Sequence, residues 1–96
     1  MDLSLQDSLS IRSDVVFRQL DEEAVLLDLK SGKYFGLNEA GARIWQLVAE
    51  ARPLGDILDT LEDEYSSERS ILERDLLDLA GELCMRGLVE VKERKG

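Results

Sequence analysis

The sequence predicts an α+β fold: a three-stranded antiparallel sheet at the N-terminus, three helices after it, and a short C-terminal strand. Three observations carry this. Residues 15–37 hold three short runs of strand formers separated by turn residues. Residues 39–86 change to apolar spacings of three and four, interrupted at Pro53 and at Ser66-Ser67. Leu88-Val89-Glu90-Val91 then returns to a strand-like pattern.

Val15-Val16-Phe17-Arg18-Gln19-Leu20 reads as the first strand. Asp21-Glu22-Glu23 is a polar break, after which Ala24 to Lys30 resumes with Val25, Leu27 and Leu29 on one face. Ser31-Gly32 supplies the residue tolerant of positive φ that a tight hairpin requires. A two-residue turn sets Leu29 opposite Tyr34 and Leu27 opposite Gly36, and a bulged turn shifts that pairing by one. Lys33-Tyr34-Phe35-Gly36-Leu37 is the third strand, running into the next element without a loop. The three strands read as a meander.

Asn38 is a good N-cap, because its side-chain oxygen can accept from the orphan N–H groups of the following turn. Glu39 at the first helical position favours the helix dipole. Ala40, Ile44, Leu47, Val48 and Ala51 share one face of this helix, with Trp45 beside it. Gly41 costs about 1 kcal/mol against alanine, which close approach to the sheet would offset. Tyr34, Phe35 and Trp45 are expected in the core. The second helix, from about Leu54 to Tyr65, sets Ile57, Leu58, Leu61 and Tyr65 against a face of Asp56, Asp59, Glu62, Asp63 and Glu64. Ser66-Ser67 is expected to cap the third, from about Glu68 to Arg86, with Gly87 as its stop. On that helix Leu72, Leu76, Leu79 and Leu83 form a core seam, flanked by Leu77, Ala80 and Cys84. An apolar arc of about 160° touches more than one neighbour, so it packs two elements or leaves one side as a groove.

Ninety-six residues, 44% hydrophobic and 5% aromatic, make one small domain with an aliphatic core, placed at residues 14–91. Residues 1–13 and 92–96 lack any period and are expected to be flexible. One cysteine excludes an internal disulfide and, with no histidine, the usual zinc site. Acid runs such as Glu62-Asp63-Glu64 lack a calcium loop's alternating oxygens and central glycine, so no metal or cofactor is expected. Proton transfer near neutral pH has no obvious group to use, which points away from an enzyme. Cys84 on an apolar face reads as packing. No signal peptide or membrane span is visible, and the reading is a cytoplasmic protein.

Residues 54–82 hold ten acids and two arginines, a net of -8 against -9 for the chain. Such a surface repels a phosphate backbone. Two helices joined by a short turn beside a small sheet have a winged-helix-like shape, with the third helix as the reading helix. Its charged residues sum to -2, so as a DNA reader it is poor. A winged-helix protein-interaction or regulatory module remains the alternative function.

"AVLLDLKSGKYFGLNEAGARIW", then a Pro-started second helix and "LLDLAGELCMRGLVEV", resembles the PqqD-like family, typified by the D protein of pyrroloquinoline quinone biosynthesis. The resemblance runs from about Val15 to Val91. Its most specific parts are Leu26-Leu27-Asp28, Gly32, Leu37-Asn38, Gly41, Trp45 and Arg86-Gly87-Leu88. It implies three N-terminal strands and three helices, and a non-enzymatic peptide chaperone, a precursor-peptide recognition element. It implies as partners the leader segment of a ribosomally made precursor peptide and a separate maturation enzyme, often a radical SAM protein. Which peptide pathway is served is not implied, and monomer and homodimer stay equally open.

A third strand at the end of a meander is an edge, with one row of backbone groups unpaired. Such an edge can accept an extended peptide as an added strand. The resemblance places the leader there, against the third helix. The expected peptide-binding residues are Lys33, Tyr34, Phe35, Gly36 and Leu37 on the strand. From the helix they are Leu77, Ala80 and Cys84 as groove floor, and Arg69 and Glu73 at the rim. The competing expectation is an edge covered by the C-terminal segment or by a second copy.

Overall fold

The computed structural model describes residues 3–92. In chain order the elements are β1 (Leu9–Ile11), β2 (Val15–Leu20), β3 (Glu23–Asp28), β4 (Lys33–Leu37), α1 (Glu39–Val48), α2 (Leu54–Glu64), α3 (Arg69–Met85) and β5 (Val89–Val91). Strands β2, β3 and β4 form the expected antiparallel meander, with β4 at one edge. The α+β architecture, three strands then three helices and a short last strand, is as the sequence predicts.

The hairpin register differs from expectation. Asp28 pairs with Lys33 and Leu27 with Tyr34, leaving a four-residue connection over 29–32. The reason lies in the Asp28 side chain. One of its oxygens accepts from the Lys30 N–H at 3.0 Å and the other from the Ser31 hydroxyl at 2.9 Å. Its carbonyl accepts from the Gly32 N–H at 2.7 Å, and Gly32 sits at φ +74°. An aspartate that satisfies a turn with its own side chain makes the longer connection favourable. The buried face of β3 is Ala24, Leu26 and Asp28 rather than the expected Val25, Leu27 and Leu29, of which the first two are half-buried and Leu29 lies exposed in the turn.

Within the N-terminal segment 1–13, for which flexibility is expected, residues 1–2 lie outside the described residues and residues 3–13 run along the sheet and helices. Strand β1 pairs antiparallel with β5, Leu9 opposite Val91 and Ile11 opposite Val89. Before it, the carbonyls of Leu5 and Asp7 accept from the N–H groups of Gly55 and Leu54 at 2.7 and 2.8 Å. Helix α2 begins after Pro53 without a side-chain cap, so this strap satisfies two of its orphan donors. Leu3, Leu5 and Ile11 pack on the core, and Leu9 is fully buried. Residues 93–96 of the expected C-terminal tail lie outside the described residues, while the Lys92 N–H donates to the Ser8 carbonyl at 2.9 Å.

Asn38 caps α1 as expected, its Oδ1 accepting from the Gly41 N–H at 2.8 Å. A Cβ at Gly41 would lie 3.2 Å from Leu37 Cδ2 and 3.3 Å from Asn38 Oδ1, so the glycine permits the close β4–α1 approach. Trp45 is buried with Ile44, Leu47 and Val48, but Ala40 and Ala51 are exposed. Helix α3 starts at Glu68 without a side-chain cap, so the serines do not serve that role. It stops at Gly87, φ +73°, whose N–H reaches the Cys84 carbonyl while the Leu88 N–H reaches that of Leu83, both at 3.0 Å. That pair of bonds is a Schellman stop. One core of aliphatic side chains and Trp45 joins all three helices to both sheets.

Candidate functional site

Strand β4 has β3 on one side and, among the described residues, no strand on the other. The C-terminal strand β5 is engaged with β1 and does not cover it. The phase of the free edge follows from the ladder. The Leu29 N–H donates to the Asp14 carbonyl, which makes 14 with 29 a hydrogen-bonded pair and turns the odd-numbered residues of β3 toward β2. The even residues Ala24, Leu26 and Asp28 then bond Leu37, Phe35 and Lys33. The backbone groups of Tyr34 and Gly36 consequently face outward. Among the described residues these groups have no strand partner.

Beside the edge lies a cleft of about 420 Å³ lined by Phe35, Gly36 and Leu37 of β4, Gly41 and Ile44 of α1, and Asp75 and Leu79 of α3. It continues past Phe35 into a second concavity of about 270 Å³, lined by Lys33, Tyr34, Asp28, Met85, Arg86 and Leu88. Helix α3 thus runs alongside β4 in the opposite sense, Asp75 near Leu37 and Arg86 near Lys33. The lengths agree, since eleven helical steps cover about 16 Å and four strand steps about 13 Å. The Arg86 guanidinium lies 4.8 Å from the centre of the Phe35 ring, a cation–π contact at the junction of the two hollows.

The sequence-predicted residues divide. Lys33, Tyr34, Phe35, Gly36 and Leu37 are all on β4. Of these Leu37 is buried, Phe35 half-buried, and Tyr34 71% exposed on the sheet's outer face rather than in the core. The expected helix residues are not brought to them. Ala80 is 0% exposed and Leu76 and Leu83 join it, so the seam runs through 76, 80 and 83 and Ala80 floors no groove. Leu77 is half-buried, about 160° around the helix from both Asp75 and Leu79. Cys84 opens instead on a hollow with Arg12, Gly87 and Val89, on the β5 side. Burial pushes its thiol pKa up, which disfavours the reactive thiolate. Arg69 turns to α2, pairing with Asp59 and Glu62 at 2.8 Å each. Glu73, two positions before Asp75, faces the same far side as Leu77.

Asp75, Leu79 and Arg86 were missed as lining residues. A signal existed, because 72, 75, 79, 82 and 86 fall in one helical stripe. The wide apolar arc hid it, since Leu79 fits either the seam or the stripe beside it.

A clasp holds the Lys33 end of the site. The Arg12 guanidinium bonds Asp14 Oδ1 at 2.8 Å, Asp28 Oδ1 at 3.2 Å and the Gly87 carbonyl. It ties the β1–β2 link to the β3–β4 turn and to the end of α3. Burial pushes the Asp28 carboxyl up. Hydrogen bonds from Ser31 and Lys30 and the charge of Arg12 outweigh that and hold it below its ordinary value. Among the described residues no group of histidine, cysteine or carboxylate side chains is placed to hold a metal ion, and no helix is long and apolar enough to cross a membrane.

Comparison with known proteins bears on this geometry. The sequence pattern of the family described as Coenzyme PQQ synthesis protein D (PqqD) matches residues 23–89. A solved structure of TbiB1 in complex with the TbiA(beta) leader peptide is 42% identical. The match covers 84% of this chain and 94% of that one, with a TM-score of 0.78. A lasso peptide synthetase B1 complexed with its leader peptide is 32% identical, with 86% and 98% covered and a TM-score of 0.78. No curated protein gives a significant match.

Proposed function

The chain belongs to the PqqD family, and from that premise we propose that it is a recognition element for the leader segment of a ribosomally made precursor peptide. The leader adds as a strand to β4 and lies in the cleft against α3. The observation that carries this is the outward-facing backbone of Tyr34 and Gly36 beside a hollow lined by Leu79 and Phe35. An unpaired edge gives affinity through backbone bonds, and a neighbouring groove gives specificity through alternate side chains. Two similar proteins, at 42% and 32% identity, are known in complex with leader peptides. The protein acts by binding and presents the leader to a separate maturation enzyme, for which a radical SAM protein is the first candidate class.

No observation favours the regulatory-module alternative. The exposed side of α3 carries Asp75, Asp78 and Glu82, which would face a phosphate backbone with like charge.

Amide shifts in the labelled protein test the proposal, on adding the TbiA(beta) leader peptide and precursor peptides encoded near the gene. Shifts should concentrate in residues 33–37 and along the Asp75–Leu79–Arg86 stripe. Shifts confined to the acidic face of α2, at Asp56, Asp59 and Asp63, with β4 silent, would sink strand addition.

A further inference from the structure

The two ends of the cleft carry opposite charge. At one end Asp75 borders the hollow by Leu37, its carboxylate only 3.9 Å from Arg74 in a loose, exposed pair. At the other, Lys33 and Arg86 border the hollow beyond Phe35, where the Asp28 carboxylate is already paired with Arg12 at 3.2 Å. Lys33 makes no ion pair among the described residues, and Arg86 has, besides its contact with the Phe35 ring, an exposed pair with Glu82 at 3.3 Å. Between the two ends the lining is apolar, with Phe35, Leu79 and Ile44. The charges of Asp75, Lys33 and Arg86 are solvent-accessible and weakly committed, so a ligand can recruit them at small cost.

We propose that this cleft selects a leader segment in which an apolar residue is flanked two positions away by an acid on one side and a base on the other. The proposal rests on the leader-binding reading above. The spacing comes from the strand. A peptide bonded to the outward groups of Tyr34 and Gly36 sets its own residues opposite Lys33, Phe35 and Leu37 with their side chains on the inner, α3-facing side. The residue opposite Phe35 meets Leu79. Its neighbour two positions toward Lys33 meets Lys33 and Arg86, and the one two positions toward Leu37 meets Asp75. The code is acid, any, apolar, any, base, read in the direction from Lys33 to Leu37. Whether the acid comes first in the peptide depends on whether the strand adds parallel or antiparallel. The reverse arrangement sets like charges together at both ends, so one strand polarity is favoured and the register is fixed as well.

Selection from a displayed library of random twelve-residue peptides tests this, using the full chain and a double variant with Asp75→Lys and Arg86→Glu. The wild type should enrich acid and base four positions apart around an apolar residue. The double variant should move the acid to the Leu37 end and lose the acid preference at the Lys33 end, where Lys33 offsets the introduced carboxylate. In titrations with one enriched peptide, neutralising either of its charges should weaken binding about two- to fivefold. That loss should shrink in high salt. Enriched peptides that shift the Tyr34 and Gly36 amides but show no charge order would overturn the code and leave leader recognition standing. Failure to enrich any peptide that shifts those amides would overturn both. Circular dichroism of the double variant guards against misfolding, and Lys33→Glu alone, at an exposed position, should halve the preference for acids.

Discussion

The two flanks of α3 each present a half-buried leucine and meet different strands. On one flank, the one on which Leu77 also lies, Cys84 borders a hollow lined by Val89, Glu90 and Val91 of β5, whose strand partner is β1. On the other flank Leu79 faces β4, whose outer backbone has no strand beside it. A leucine on each side is half-buried. The difference is made by the strands and not by the helix, since one flank meets a three-residue strand of a two-stranded ribbon and the other the five-residue edge of a three-stranded sheet. An apolar helix face therefore does not by itself mark a binding site. It can become one where the neighbouring edge is long enough to accept an added strand.

The comparison requires that the core beneath both flanks be shared, and the largest effect should come from removing it. Trp45→Ala should lower the unfolding free energy by about 3–5 kcal/mol, measured by chemical denaturation. An unchanged melting temperature with lost peptide binding would instead make Trp45 a contact residue. Next in size is a pair of prolines on β4. The Phe35 N–H bonds Leu26, so Phe35→Pro should cost about 3 kcal/mol or more of stability. Gly36→Pro deletes an outward donor, which edge strands tolerate, and should spare folding while reducing peptide affinity at least tenfold. Equal destabilisation by both would mean the edge phase is reversed.

Charge insertion probes the flanks directly. Leu79→Glu should weaken peptide binding more than folding, whereas Leu77→Glu should cost stability of about 1–3 kcal/mol and leave binding little changed. The opposite pattern would return the groove to the Leu77 side. The smallest effect expected is that of pH on the clasp beside β4. Asp28 is held below its ordinary pKa of 3.8. The stability it contributes is therefore present in full above the ordinary aspartate range and is lost as pH falls through the lower folded-state value. Asp28→Asn should flatten the acid limb of a stability–pH profile. A profile identical to wild type would show that the Arg12 clasp is not coupled to folding.

Much of this was legible in the residues, and the losses have physical causes. The β4–α1 junction was readable because Asn38, Gly41 and Trp45 each act locally: a cap, a close approach, a buried ring. Strand β4 was readable as an edge from its place at the end of a meander. The hairpin register was not, because Asp28 bonds both Lys30 and Ser31 and so favours a connection longer than the Ser31-Gly32 pair suggests. The centre of the α3 seam was not readable because Leu76 and Leu83 belong to it under either choice, and only the complete burial of Ala80 over Leu79 decides it. The N-terminal strap left no signal, since Leu5 and Asp7 act on α2 through their carbonyls, which every residue has.

The pairing of β1 with β5 has a consequence for how such a domain can be carried. Leu9 lies opposite Val91, so the first and last strands are neighbours, with the strap of residues 3–8 leading from α2 into the first. A unit with its entrance and exit side by side can be spliced into a surface loop of a larger protein for the small entropic cost of closing a short loop. The host would see one doorway, and the β4 edge, which belongs to the other sheet, would stay clear of the splice. The same ribbon makes the domain a candidate for circular permutation, with new ends opened in the exposed turn after β2. A peptide-binding cleft built this way is portable.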